Sequence, residues 1–362
     1  MARWFWYVGA LVVARAAGNV CRPADREALE IYRRDGLAIL KNFIDEDTLA
    51  AVQGELERVV DTYAEAAPVD VKSLDFTHKY AALHKVDDIR LPTYFRKEMH
   101  TASFFDAFLK HERLRELLSC LLGTDDLRIY PVYMARGKVP DRMNDGVHTV
   151  DWHQDAEYTY YWYSPKNTTV VEMDAYAASV VNTWLAVEDV PLELGPVQLV
   201  KAPVRQLTKA DFVRVGGKRE ALRISHIDEY VQQHPEDVVT ATVERGDLVI
   251  FDQYVYHRAL PNTSTNRTRW SLDFRFQRAD HPTLRGAQGF RLDDLDGAKW
   301  ENAPPSPRLY ELRKRFHENY GGNSWAKAHD PRRELRGAVK TCARGSPGLG
   351  RKPPLRPELR RD

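Results

Sequence analysis

Cysteine is nearly absent: 362 residues carry only Cys21, Cys120 and Cys342, too few for a disulfide framework, and the scarcity leans the chain toward a reducing compartment. There is no Gly-rich phosphate loop, no G-x-G-x-x-G after a strand-like run and no G-x-S-x-G elbow, so the common nucleotide-binding and serine-hydrolase signatures are excluded. No internal repeat points to a solenoid. A large charge of one sign is lacking too, since the formal net charge is +1. That small value conceals an asymmetry: residues 327–362 carry 11 Lys/Arg against 4 Asp/Glu, while the remainder carries 42 against 48.

What is present suits a globular enzyme with an extension at each end. A chain of this length with 43% hydrophobic residues can bury one large core. Arg3 precedes an apolar run, Trp4 to Val13, too short to span a bilayer, and Ala14-Arg-Ala16 offers a small-x-small cleavage pattern. Residues 1–20 therefore read as a signal or targeting segment, with a cytoplasmic or organellar location favoured over secretion. The basic tail, 327–362, has few aliphatic residues and reads as a disordered, solvated extension. Its charge implies at most a weak contact with polyanions, and no specific nucleic-acid partner is expected, because no aromatic residues interleave the charges. Residues 21–326 are left as one domain.

Within that domain the helices come first. Leu49, Val52, Leu56, Val59 and Tyr63 alternate gaps of three and four behind Asp45 or Asp47 as a cap, which predicts an amphipathic helix. A second helical region runs from Phe104 to Leu122, closed by Gly123, with Cys120 among its core residues. Strand-like runs take over from about Leu127, and Ser306-Pro307 opens a late helix ending at Gly321. This order predicts a mainly β protein with flanking helices, a double-stranded β-helix of the jelly-roll or cupin-like kind.

The chemistry is concentrated in His153-Gln154-Asp155, followed about a hundred residues later by His257 and then by Arg269. His153 and Asp155 are two apart, so on an extended segment they project to one side. In Glu244 to His257 a Gly-Asp turn leads into an apolar run that delivers a histidine just past its end. Two imidazoles and a carboxylate occupy one face of an octahedral ion and leave three positions open, the arrangement of non-haem Fe(II) oxygenases. In Arg269 to Phe276, Ser271, Asp273 and Arg275 alternate with Trp270, Leu272, Phe274 and Phe276, so Arg269 shares the polar face. Its planar fork suits a bidentate carboxylate near the metal. Arg267 competes for that role, and Arg269 is preferred because it begins the strand. His148 is the nearest rival ligand, disfavoured by a spacing of five. Asn167, Asn262 and Asn266 lie in N-x-Ser/Thr sequons, and two of these fall between His257 and Arg269, where a glycan would crowd the site; they are read as chance matches.

Several stretches together resemble the phytanoyl-CoA dioxygenase family of Fe(II)- and 2-oxoglutarate-dependent oxygenases, over roughly Tyr32 to Gln277. They are Arg34 to Ile44, His153-Gln-Asp155, Asn182 to Asp189, Leu194-Gly-Pro-Val-Gln-Leu-Val200, Gly246 to Phe251, His257 and Arg269. The resemblance implies that His153, Asp155 and His257 hold Fe(2+), and that Arg269 and Trp184 bind the cosubstrate 2-oxoglutarate. It further implies O2-dependent hydroxylation of an unactivated carbon of a small-molecule substrate, with release of succinate and CO2. Lys201-Ala-Pro-Val204 stands where the family commonly carries Pro-Gly-Ser-His, a departure at the pocket rim. Tyr158 and Tyr160 to Tyr163 are candidates for the pocket lining. The competing readings are a metal-dependent hydrolase or isomerase on the same barrel, and a metal-binding barrel without turnover; Arg269 disfavours the first, because Lewis-acid chemistry needs no remote carboxylate clamp.

Overall fold

Capping residues cut the first third of the chain into helices. The computed structural model describes residues 21–98, 104–130, 133–141, 150–159, 169–202, 211–215, 219–223, 227–284 and 290–295. Helix α1 (Arg26–Asp35) stops at Gly36, whose φ of 78° is left-handed, and the chain turns there into strand β1 (Leu37–Leu40). Asp45 accepts a hydrogen bond from the Thr48 backbone N–H and so opens α2 (Glu46–Ala64), which buries Leu49, Val52, Leu56, Val59 and Tyr63 as the periodicity requires. Helices α3 (Phe76–Val86) and α4 (Arg90–Glu98) follow. The helical region expected over 104–122 is two helices, α5 (Phe104–Lys110) and α6 (Glu112–Leu122), interrupted at His111 and closed by left-handed Gly123.

The strands then assemble around one long element. In chain order they are β2 (Leu127–Ile129), β3 (Met134–Lys138), β4 (Val180–Ala186), β5 (Val197–Val200), β6 (Asp211–Val215), β7 (Arg219–Arg223), β8 (Val238–Thr240), β9 (Leu248–Asp252), β10 (His257–Ala259), β11 (Arg269–Arg278) and β12 (Phe290–Arg291). Seven form an antiparallel sheet in the order β1-β9-β4-β11-β2-β12, with β3 also paired to β11. A second sheet runs β10-β5-β8, and β6 pairs with β7. Helices α7 (Asp155–Tyr158), α8 (Val170–Ala178) and α9 (Ile227–Gln233) lie between strands.

Strand β11 separates two environments. On one face Trp270, Leu272, Phe274 and Phe276 join the helical layer in a single core cluster; Trp270 stacks on Phe76 with centroids 4.8 Å apart and meets Tyr80 edge-on. On the other face Trp184, Val249 and Phe251 of the large sheet cluster with Val197 and Leu199 of the small one. Between these walls lies the polar face of β11. The expected architecture needs correcting in its proportions: among the described residues helix exceeds strand, and the two sheets do not close into a barrel. The physical reason is the row of large aromatics on the outer face of β11, which needs a thick helical cover.

Cysteine also departs from expectation. Cys21 and Cys120 form a disulfide, with Cα atoms 5.5 Å apart, so Cys120 is a cross-link between α6 and the segment before α1. Their sequence separation of 99 hid the pairing, and tertiary packing creates it: Arg113 on α6 holds the buried Asp25 carboxylate at 2.6 Å next to the same junction. A cross-link over so long a loop stabilises a fold by about 2–4 kcal/mol. Cys120→Ser should therefore lower the unfolding midpoint of the oxidised protein to that of the reduced wild type, read by thermal melts with and without reductant. Identical wild-type melts under both conditions would show that the bridge does not form. No described helix is long and apolar enough to cross a membrane. The late helix, the basic tail, the leader-like segment, His148, Asn167 and the run Tyr160 to Tyr163 fall outside the described residues.

Candidate active site

His153 and His257 are direct cross-strand partners. The N–H of each donates to the carbonyl of the other, at 3.1 and 3.0 Å, in an isolated antiparallel bridge, and this brings two histidines far apart in sequence to ring centroids 4.1 Å apart. Their Nδ1–H groups donate to the carbonyls of Asp151 (2.8 Å) and Val255 (3.0 Å), which fixes the tautomer and leaves both Nε2 lone pairs facing inward. Burial, and then His257 beside it, pushes the His153 imidazole down to about 3; burial lowers His257 as well. Both rings are thus neutral at neutral pH, the form that ligates a metal.

Gln154 keeps an extended backbone and anchors its side chain to the Tyr254 carbonyl at 2.7 Å, after which Asp155 opens α7. The expected extended pair is thus an extended residue followed by a helix start, with the same result. Asp155 Oδ1 lies 3.7 Å from His153 Nε2 and 3.9 Å from His257 Nε2, and the three donors fall within 4.8 Å of one another, all on buried residues. Oδ2 turns the other way and accepts from Arg275 Nε at 2.9 Å and Nη2 at 2.6 Å. Burial alone would raise the Asp155 carboxyl; Arg275 and the two imidazoles override it and hold the group below the usual carboxylate range.

The second half of the site is a buried cation. Arg269 is 1% exposed, yet no described carboxylate lies within ion-pair distance of it, and its Nε has no hydrogen-bond partner. Nη1 donates to the Gly195 carbonyl at 2.8 Å and the guanidinium lies 5.1 Å over the Trp184 ring. Burial lowers this guanidinium to about 10, so it stays charged at neutral pH. Gly195 is where a glycine is required: its φ is +68°, and a Cβ there would sit 2.4 Å from the Leu260 carbonyl oxygen. Lys138, the cross-strand partner of Arg269 on β3, is also buried, ion-pairs with Asp141 at 3.1 Å, and is pushed down to about 8 by burial and then by the Arg269 charge.

One open-mouthed cavity joins these parts, lined by His153, His257, Trp184, Phe251, Arg269 and Arg275 among others. Arg267 does not line it and instead reaches Glu188 at 3.1 Å and Glu193 at 3.8 Å. Arg136, Lys138 and the Arg275–Asp155 contact had not been singled out from sequence. The alternation along β11 had placed Arg275 on the polar face, and only the tertiary bridge shows what it touches. Of the two sequons in the loop, Asn262 is buried and donates to the carbonyls of Lys138 and Arg267, so it serves the loop fold; Asn266 is exposed.

Residues 32–270 match the phytanoyl-CoA dioxygenase (PhyH) family. The chain belongs to that family. The protein is accordingly an oxidoreductase, an Fe(II)- and 2-oxoglutarate-dependent oxygenase, and its two histidines and aspartate converge as such a centre requires. A phytanoyl-CoA dioxygenase domain-containing protein 1 homolog of Dictyostelium discoideum is 22% identical over 273 residues, covering 68% of this chain and 90% of that protein. Among solved structures, the apo form of the non-haem monooxygenase ThoJ superimposes with a TM-score of 0.52 at 14% identity, over 87% of this chain and 99% of that one, which shows a shared fold. EctD from S. alaskensis, with 2-oxoglutarate and 5-hydroxyectoine, has a TM-score of 0.48 at 15% identity over 75% of this chain and 81% of its own.

Proposed function

We propose that this PhyH-family oxygenase hydroxylates an unactivated carbon of a small-molecule substrate, with His153, Asp155 and His257 holding Fe(II) and with Arg269 and Trp184 holding 2-oxoglutarate. The observation that carries the reading is the pairing of two incomplete groups on one cavity wall. At one end three donors point at a common centre. At the other, a fully buried guanidinium has no carboxylate within ion-pair distance among the described residues, which is unfavourable unless one arrives. A metal chelated at one end and a distal carboxylate at the other would satisfy both.

When bound, Fe(II) and 2-oxoglutarate supply the oxidising power drawn from O2, with succinate and CO2 as coproducts. The chain's own residues aim that chemistry. The carbonyls of Asp151 and Val255 orient the imidazoles, and Arg269, laid on Trp184 and held by Gly195, presents its fork to the distal carboxylate. Val197, Phe251 and Trp184 supply the apolar part of the cavity lining. Asp155 fills the carboxylate position that halogenating relatives leave open, which favours hydroxylation. The two sheets are read as the walls of a double-stranded β-helix, a reading supported by the fold shared with a non-haem monooxygenase.

The deciding experiment is anaerobic titration of the iron-loaded protein with 2-oxoglutarate. A visible metal-to-ligand charge-transfer band is expected, saturating at one equivalent per iron. Iron bound with no such band would overturn the proposal in favour of a Lewis-acid enzyme or a non-catalytic metal protein, neither of which gives Arg269 a partner.

A further inference from the structure

We propose that Arg275 is a positioning residue that keeps Asp155 bound to the metal through one oxygen only, and thereby reserves a coordination position for the cosubstrate. The inference rests on the reading of His153, Asp155 and His257 as the metal site. A carboxylate beside a divalent ion can present one oxygen or both. Here the two oxygens are already divided: Oδ1 faces both Nε2 atoms, and Oδ2 accepts two hydrogen bonds from one guanidinium, at 2.6 and 2.9 Å. Turning Oδ2 toward the metal would break both, in a place where Asp155 is buried.

Arg275 is itself firmly held. It sits in the middle of β11, opposite Asn182 of β4, on the strand that also carries Arg269. One strand therefore sets two things, the anchor for the distal carboxylate and the orientation of the acidic ligand. The count of positions makes the second matter. Three protein donors leave three vacancies on an octahedral ion; a second oxygen from Asp155 would leave two, so a chelating cosubstrate would fill every vacancy or be displaced.

The test uses Co(II) as probe metal and full-length Arg275→Met and Arg275→Lys proteins, with folding checked by thermal melts. Two constants are read by absorption titration, that for Co(II) and that for 2-oxoglutarate on the Co(II)-loaded protein. For Arg275→Met we expect both affinities to fall, with 2-oxoglutarate affinity falling at least about tenfold further than Co(II) affinity. The Co(II) d–d bands should shift, and Arg275→Lys should recover part of the loss, since it keeps the charge and one donor. A merely structural role would move both constants together and leave the bands alone. If the Met variant does not fold, the Lys variant, which loses half the fork, carries the same split in smaller measure. Wild-type protein that binds Co(II), with variants that bind 2-oxoglutarate as tightly as wild type, would overturn the positioning role alone. Wild-type protein that binds no Co(II) would overturn the metal reading and this inference with it.

Discussion

Alanine at His153, Asp155 or His257, one at a time, should leave a protein that folds but no longer retains Fe(II) through dialysis, with turnover down by more than about a hundredfold. Removing the supporting partners of a metal ligand typically costs ten- to a hundredfold, so removing a ligand itself should exceed that. The fold should survive because the backbone bridge between residues 153 and 257 uses no side-chain atom. Asp155 is the exception in degree. Its removal leaves two Arg275 nitrogens without their carboxylate, a loss of about 1.5–3 kcal/mol for a charged hydrogen-bonded pair. Asp155→Asn, which keeps an acceptor for Arg275, should therefore melt higher than Asp155→Ala while binding iron no better than weakly. Normal iron content and activity in any of the three alanine variants would show that residue to be misassigned.

The ligand set was legible because it is written in local patterns: a His-x-Asp pair, a histidine just past an apolar run, and an arginine at the head of an alternating strand. Each pattern reports on one strand or turn, and strands dominate this half of the chain. The α2 helix was legible for the same reason, with Asp45 and not Asp47 as its cap. What escaped depended on contacts between elements. The Cys21–Cys120 bridge needs α6 to dock beside the start of the chain, which no spacing encodes. The break at His111 is invisible to a pattern that continues through Leu114 and Leu117, because apolar periodicity survives the interruption between α5 and α6. Arg275 was assigned a face but not a partner, since an arginine on a polar strand face is ordinarily solvated. The helical cover over the aromatic outer face of β11 escaped as well, because alternation shows what is buried but not what covers it.

Arg269→Ala should raise the 2-oxoglutarate requirement about ten- to a hundredfold while iron binding survives, because a buried charge-assisted pair contributes roughly 1.5–3 kcal/mol. The geometry sharpens the contrast with Arg267, two residues earlier. Arg269 is buried in the cavity wall with its Nε unpartnered, whereas Arg267 is a third exposed and already engaged with Glu188 and Glu193 outside the cavity. Arg267→Ala should therefore leave 2-oxoglutarate affinity unchanged and lower stability by at most about 1 kcal/mol, the usual range for a partly exposed ion pair. Arg269→Lys separates charge from shape: a lysine retains the cation but loses the fork and the guanidinium placed over Trp184, so it should fall between wild type and alanine. The measurement is the dependence of the charge-transfer band on 2-oxoglutarate concentration in the iron-loaded variants. A reversal of the two alanine phenotypes would mean that the anion enters from the Glu188 side of the strand, and that the buried guanidinium of Arg269 serves only to hold the Gly195 carbonyl.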